Sequence, residues 1–179
     1  MHRTDLEHII RAAAAITNEY EWVIIGSQSI LGTEAHPPDS LVQSMEADIY
    51  PLRHPDLADL IDGAIGEASP FHERFGYYAQ GVGPETATLP DGWQSRLVRL
   101  QNPNTDLKIG WCLELHDLAV SKLAAGREKD WPFVAAMLAH QLINQAELLQ
   151  RLQNTDLPAQ QQQRLAQWVG AAAMHLDGS

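Results

Sequence analysis

The sequence predicts an α+β or α/β fold with a helical C-terminal part, on three observations. Leu6, Ile9, Ile10, Ala13 and Ala14 repeat at helical spacing. Short β-rich runs at 21–25 and 45–50 alternate with further helical segments. From Leu115 onward every segment reads as helix, an order that mixes strands and helices first and ends in helices alone. The 179 residues suit one domain with a proper core, or one domain with a helical extension.

The elements follow in order. Thr4 and Glu7 have the spacing of a capping box, which starts the first amphipathic helix. The run Glu21-Trp22-Val23-Ile24-Ile25 is a strand ending at Gly26-Ser27, and Gln28 to Gly32 is a short helix that Gly32 closes. Pro37 and Pro38 mark a loop. Residues 45–50 form a second strand, stopped by Pro51, and Leu57, Leu60, Ile61, Ala64 and Ile65 predict a helix ending at Gly66. Two more strands are expected at 75–82 and 95–100, joined by a loop carrying Gly83-Pro84 and Pro90-Asp91-Gly92. Helices are expected at 115–125, 132–142, 144–152 and 158–174, the last with Asp156 as its cap before Pro158. The glutamine run at 160–163 reads as a solvated helix face.

Composition narrows the function classes. Twelve Lys and Arg against 23 Asp and Glu leave a net charge of −11, a field that repels nucleic-acid phosphates unless a local basic patch overrides it. The single cysteine, Cys112, excludes an intramolecular disulfide framework and cannot make a zinc site alone. No run approaches the roughly 18 apolar residues of a membrane span, and the start lacks a basic-then-apolar signal peptide. A soluble cytoplasmic protein is expected. There is no nucleophile elbow and no P-loop, and the histidines show no ligand spacing.

Two groups of residues remain as carriers of chemistry. Glu46 and Asp48 are two apart in a strand, so both carboxylates point to one face and are able to hold one or two Mg²⁺ ions. Gly26 lets the backbone approach a phosphate, and a helix starting at Ser27 aims N–H groups at it. The plain alternative is a turn at Gly26-Ser27 and a chance Glu-x-Asp. The second group is Lys122, on the same helix face as Leu115, Leu118 and Ala119, where it either snorkels to water or meets a buried anion. Arg127 and Lys129 follow the helix end at Gly126; they are able to contact phosphates or to favour the C-terminal end of the helix dipole. Asp130, before Trp131-Pro132, is expected chiefly as an N-cap.

Val23-Ile24-Ile25-Gly26-Ser27 followed by Glu46-Ala47-Asp48-Ile49 resembles the motif of the nucleotidyltransferase superfamily typified by DNA polymerase beta. The stretches 81–93 and 116–130 resemble an uncharacterised bacterial group of nucleotidyltransferase-like proteins, relatives of which are toxins of toxin–antitoxin and phage-defence systems. The resemblance covers roughly residues 1 to 140. It implies an α+β fold, a small mixed sheet flanked by helices, with an α/β core over 1–115 and a C-terminal helical segment over 116–179 packed on it. It implies Mg²⁺-dependent transfer of a nucleoside monophosphate from an NTP to an acceptor hydroxyl of a tRNA, a protein or a small molecule. Glu46 and Asp48 would hold the metal with a third carboxylate from a later strand, for which Glu85 is the first choice and Asp106 the second. Gly26 and Ser27 would seat the triphosphate, while Lys122, Arg127 and Lys129 would face its charge, with Asp130 a weaker candidate. The chain departs from the pattern in two ways: Glu46 stands where aspartate is usual, and the segment between Ser27 and Glu46 is long. Glu46 and the unplaced third carboxylate leave open a catalytically inactive interaction module; a further reading is a toxin-system component whose cognate partner masks the site.

Overall fold

The computed structural model describes residues 1–177, with side chains through Met174. It is α+β, a five-stranded mixed sheet with flanking helices followed by C-terminal helices. The chain divides into two compact units: Met1–Thr86 with Leu97–Leu113, and Ala87–Arg96 with the chain from Glu114 on.

In the first unit α1 (Arg3–Thr17) leads into β1 (Glu21–Ile25), and a 3-10 turn at Ser27–Ser29 runs into α2 (Ile30–Thr33). Then come β2 (Glu46–Pro51), α3 (Asp59–Ile65), α4 (Pro70–Phe75), β3 (Tyr78–Gly81), β4 (Val98–Leu100) and β5 (Ile109–Cys112). The strand order is β3-β2-β1-β5-β4. The β1–β2 and β4–β5 pairs are antiparallel, and β1–β5 and β2–β3 are parallel. β1 is central, and its continuous run Trp22 to Ile25 is buried, as a strand covered on both faces requires.

One face of the sheet is packed against α1. The apolar stripe Leu6, Ile9, Ile10 and Ala13 is fully buried, and Gly110 admits it: a side chain there would begin 2.6 Å from Ile10 Cδ1. The helix starts earlier than the Thr4–Glu7 spacing suggested. His2 N–H donates to Asp5 Oδ2 at 2.7 Å, so the box is His2 with Asp5. Glu7 is buried instead and accepts from Asn102 Nδ2 at 2.7 Å and Asn104 Nδ2 at 3.0 Å, anchoring the 102–105 turn. Gly32 does not close α2. It lies inside the helix, where any side chain would overlap Cys112.

Two expected strands are shorter. Within 75–82 only Tyr78–Gly81 is strand, because Ser69 Oγ accepts the His72 N–H at 3.2 Å and Pro70 opens a helix that ends at Gly76, φ +77°. Within 95–100 only Val98–Leu100 is strand, since Trp93–Arg96 forms a 3-10 turn. The strand Ile109–Cys112 was not expected at all.

The second unit holds α5 (Leu115–Ala125), α6 (Asp130–Ala139), α7 (Gln145–Gln153) and α8 (Ala159–Asp177) together with Ala87–Arg96. Glu114 caps α5, accepting from the His116 and Asp117 amides, and Gly126 ends it at φ +62°. α6 begins two residues before the expected position, and α8 begins at Ala159, one residue after Pro158. Asp117 is fully buried and accepts from Arg96 Nε at 2.8 Å, Arg96 Nη2 at 2.9 Å and Arg151 Nη1 at 2.9 Å. Burial raises its carboxyl to about 6 against the pull of Arg96. The same arginine donates to Asp91 O, and Asp91 N–H donates to Asn154 O at 2.8 Å. These bonds fasten Ala87–Arg96 to the helices of its unit. Among the described residues no helix is long and apolar enough to cross a membrane.

Candidate active site

The β1–β2 register pairs Ile24 with Ile49 and Ile25 with Asp48. Because side chains alternate along a strand, Ala47 and Ile49 face the side where Ile24 meets Gly110, whereas Glu46, Asp48 and Tyr50 face the other. The two carboxylates therefore share one face of β2, as their spacing predicted.

Gly26 holds φ +73° and ψ −173°, a backbone conformation that is nearly glycine-only. A Cβ on this residue would overlap Asp48 Oδ2 and lie 3.2 Å from Asp48 Cγ. The Asp48 carboxylate thus rests directly on the Gly26 backbone. Ser29 Oγ donates to Ile24 O at 2.7 Å, tying the turn after β1 to the strand end.

Glu46 is held from two sides. Its N–H donates to Ser44 Oγ at 3.1 Å, and its Oε2 accepts from the Tyr78 hydroxyl at 3.1 Å. Tyr78 is its direct partner in the parallel β2–β3 pairing, and Gln80 is the partner of Asp48. Burial, then the charge of Glu46, pushes the Tyr78 hydroxyl up to about 12, so it stays protonated and donates. Glu46 and Tyr78 line a cleft of about 240 Å³ with Asp62, Glu67, Ala79 and Gln80. Tyr78 carried no signal in the sequence. Its role depends on a register between strands about 30 residues apart.

Glu85 lies on the 3-10 turn Pro84–Thr86, not on a strand, with its carboxylate folded over Gly83. Burial and then the Glu85 charge push the Tyr50 hydroxyl up to about 12, which puts Glu85 within electrostatic reach of the face that carries Asp48. Asp106 sits in a left-handed turn before β5. β3, β4 and β5 carry no acidic residue, and among the described residues no group of three or more His, Cys, Asp and Glu is placed to hold a metal ion.

The pair Glu46–Asp48 nevertheless fits Mg²⁺ by its donor chemistry. That ion takes one or two protein carboxylates and completes its octahedron with water and substrate phosphates, not with an all-protein cage. The bare backbone at Gly26 gives the Asp48 carboxylate the room that a side chain would take.

In the second unit Lys122 is 6% exposed, its Nζ 3.5 Å from Asp130 Oδ1 and 5.4 Å over the Phe133 ring. Of the two fates expected for it, meeting a buried anion is the one observed. Asp130 does not cap α6. It is the first residue of the helix, 1% exposed, and it accepts from the Arg127 backbone N–H at 3.1 Å and from Arg127 Nε at 2.9 Å. The buried carboxylate is paired with both Arg127 and Lys122, as a buried charge requires. Arg127 and Lys129 line an open hollow of about 520 Å³ with Glu128 and Pro132.

Fold and motif together define a nucleotidyltransferase-like α+β protein. The chain belongs to the family described as "Nucleotidyltransferase of unknown function (DUF6036)", whose model matches residues 4–171. Comparison with the curated proteins and with the solved structures returned no match. Family membership implies a nucleotide substrate.

Proposed function

We propose that the protein transfers a nucleoside monophosphate from an NTP to an acceptor hydroxyl in a Mg²⁺-dependent reaction. One observation carries this reading: Glu46 and Asp48 project from one face of β2, with the Asp48 carboxylate laid on a backbone that only glycine supplies. The acceptor oxygen attacks the α-phosphorus and forms the new P–O bond as the bond to the bridging oxygen breaks. Pyrophosphate leaves, and the hydroxyl proton passes to water. Glu46 and Asp48 would hold the metal, which would supply positive charge against the phosphate oxygens. Gly26 and Ser27 seat the triphosphate. The resemblance of the second unit would add Lys122, Arg127 and Lys129 as positive charge.

The acidic total of the chain favours a small-molecule or protein acceptor over a long RNA. A toxin–antitoxin or defence role in the cytoplasm with a cognate partner belongs to this reading only through the resemblance of residues 81–93 and 116–130. A second reading has its own observation. The absence of acidic residues from β3, β4 and β5 leaves two carboxylates where the resemblance implies three, which suits an inactive interaction module.

The test is thermal stability with Mg²⁺ and each NTP, for wild type and Asp48→Asn. A ligand at a hundredfold excess over Kd adds about 2.7 kcal/mol to the native state. A Mg²⁺-dependent shift that Asp48→Asn abolishes supports transfer. No shift with any NTP supports the module.

A further inference from the structure

We infer that Tyr78 is a positioning residue for the metal-holding Glu46, an inference that rests on the function proposed above. The resemblance implies aspartate at this position, and glutamate adds a methylene and one more rotatable bond. Left to itself the longer carboxylate would sweep a wider arc, and displacements near 1 Å are costly at a reacting centre. The structure places a brake on that arc. Tyr78 stands opposite Glu46 across the β2–β3 pairing and donates its hydroxyl to Oε2 at 3.1 Å. One carboxylate oxygen is thereby fixed, and metal coordination needs only the other.

The tyrosine is itself held. The His72 ring packs against its ring with centroids 4.6 Å apart, and His72 Nδ1 accepts the Ala68 N–H at 3.1 Å. Helix α4 begins at Pro70 under the Ser69 cap, so its first turn carries His72 to this place. The chain of support runs from a capped helix turn, through two rings, to one carboxylate oxygen. Partners of this kind, bonded to a ligand and not to the metal, are worth about 10- to 100-fold in metal affinity.

The experiment measures Mn²⁺ affinity of the full chain by the paramagnetic signal of the free ion, in wild type and variants. Asp48→Asn should lose binding. Tyr78→Phe should weaken it about tenfold or more, with an unchanged melting temperature in the absence of metal. His72→Ala should weaken it by a smaller factor, and it serves as the second variant should Tyr78→Phe fold poorly. In a Glu46→Asp background, where the carboxylate is drawn back from the hydroxyl, Tyr78→Phe should have no further effect. If Tyr78→Phe binds Mn²⁺ as wild type does while Asp48→Asn does not, the role of Tyr78 is overturned and the transfer reading stands. An equal loss in the Glu46 and Glu46→Asp backgrounds also overturns it, because Tyr78 would then act by another route. If wild type binds no Mn²⁺ and shows no Mg²⁺-dependent shift with any NTP, the transfer reading falls and takes this role with it.

Discussion

The Asp48 carboxylate occupies the space where a side chain on Gly26 would begin, so residue 26 and the second motif acid are sterically one unit. Replacing Gly26 by alanine forces an L-residue to φ +73° and pushes its methyl onto Asp48 Oδ2. The expected cost is about 1–3 kcal/mol from backbone strain alone. Nucleotide-dependent stabilisation should vanish with it, since the carboxylate must swing away. Urea melts of Gly26→Ala with and without Mg²⁺·NTP check both parts. A variant that melts like wild type would mean that the turn relaxes without moving Asp48.

Asp117 gives a second expectation, in the helical unit. Its charge is fully buried and depends on two arginines, Arg96 and Arg151. Arg96→Ala removes both Arg96 contacts to Asp117 and also the bonds to Asp91 O that fasten Ala87–Arg96. Breaking a buried pair from one side costs about 3–5 kcal/mol, and the surviving Arg151 keeps the loss near the lower end. In chemical denaturation the double variant Arg96→Ala/Asp117→Ala should lose less than the two single losses added together. Simple additivity would show that the pair is energetically idle.

How much of this was legible beforehand depended on the range of the interaction. The acid pair on β2, the apolar stripe of α1 and the helices after Leu115 rest on spacings within one element, and those patterns are written locally. β5 is four residues, Ile-Gly-Trp-Cys, with a glycine inside; that glycine exists to admit Ile10 from a helix about a hundred residues earlier. No local rule contains that fact. Residues 75–82 read as one strand because aromatic residues favour strands, yet the Ser69-Pro70 cap immediately upstream was a readable competing signal. Asp130 shows the opposite failure. A strong local preference for capping lost to the Arg127 guanidinium and backbone N–H, with the buried Lys122 ammonium beside them. Tyr78 was invisible for the same reason as β5, since its partner is chosen by register.

Glu114 sets an expectation for acid stability. Burial pushes its carboxyl up, but the His116 ring at 2.8 Å and the His116 and Asp117 amides outweigh burial and hold it below the ordinary carboxylate range. A carboxyl whose pKa is lowered on folding releases its proton more readily in the native state. Its stabilisation is present above the unfolded value of about 4.3 and is lost as pH falls through the lower folded value. Glu114→Gln should therefore be less stable than wild type at pH 6, with the difference shrinking as the pH drops below about 4. Urea midpoints from pH 6 to pH 3 measure it. A difference that stays constant over that range would assign the loss to packing, not to the charge.

Lys122 is the residue on which structural and functional readings part most clearly. Its ammonium is buried beside Asp130, so its charge helps to balance a carboxylate that Arg127 also binds. Lys122→Met keeps the length and apolar stem of the side chain and deletes only the charge. Because Arg127 continues to hold Asp130 through its Nε and its backbone N–H, the native state should lose about 1–2 kcal/mol, less than a fully orphaned buried ion would cost. If Lys122 also faces the triphosphate, the Mg²⁺·NTP stabilisation should disappear in the same variant, a loss larger than the fall in stability explains. The measurement is paired melts, with and without nucleotide, for wild type, Lys122→Met and Arg127→Met. A variant that is destabilised yet keeps the full nucleotide shift would make Lys122 a counter-ion of Asp130 and not a partner of the triphosphate.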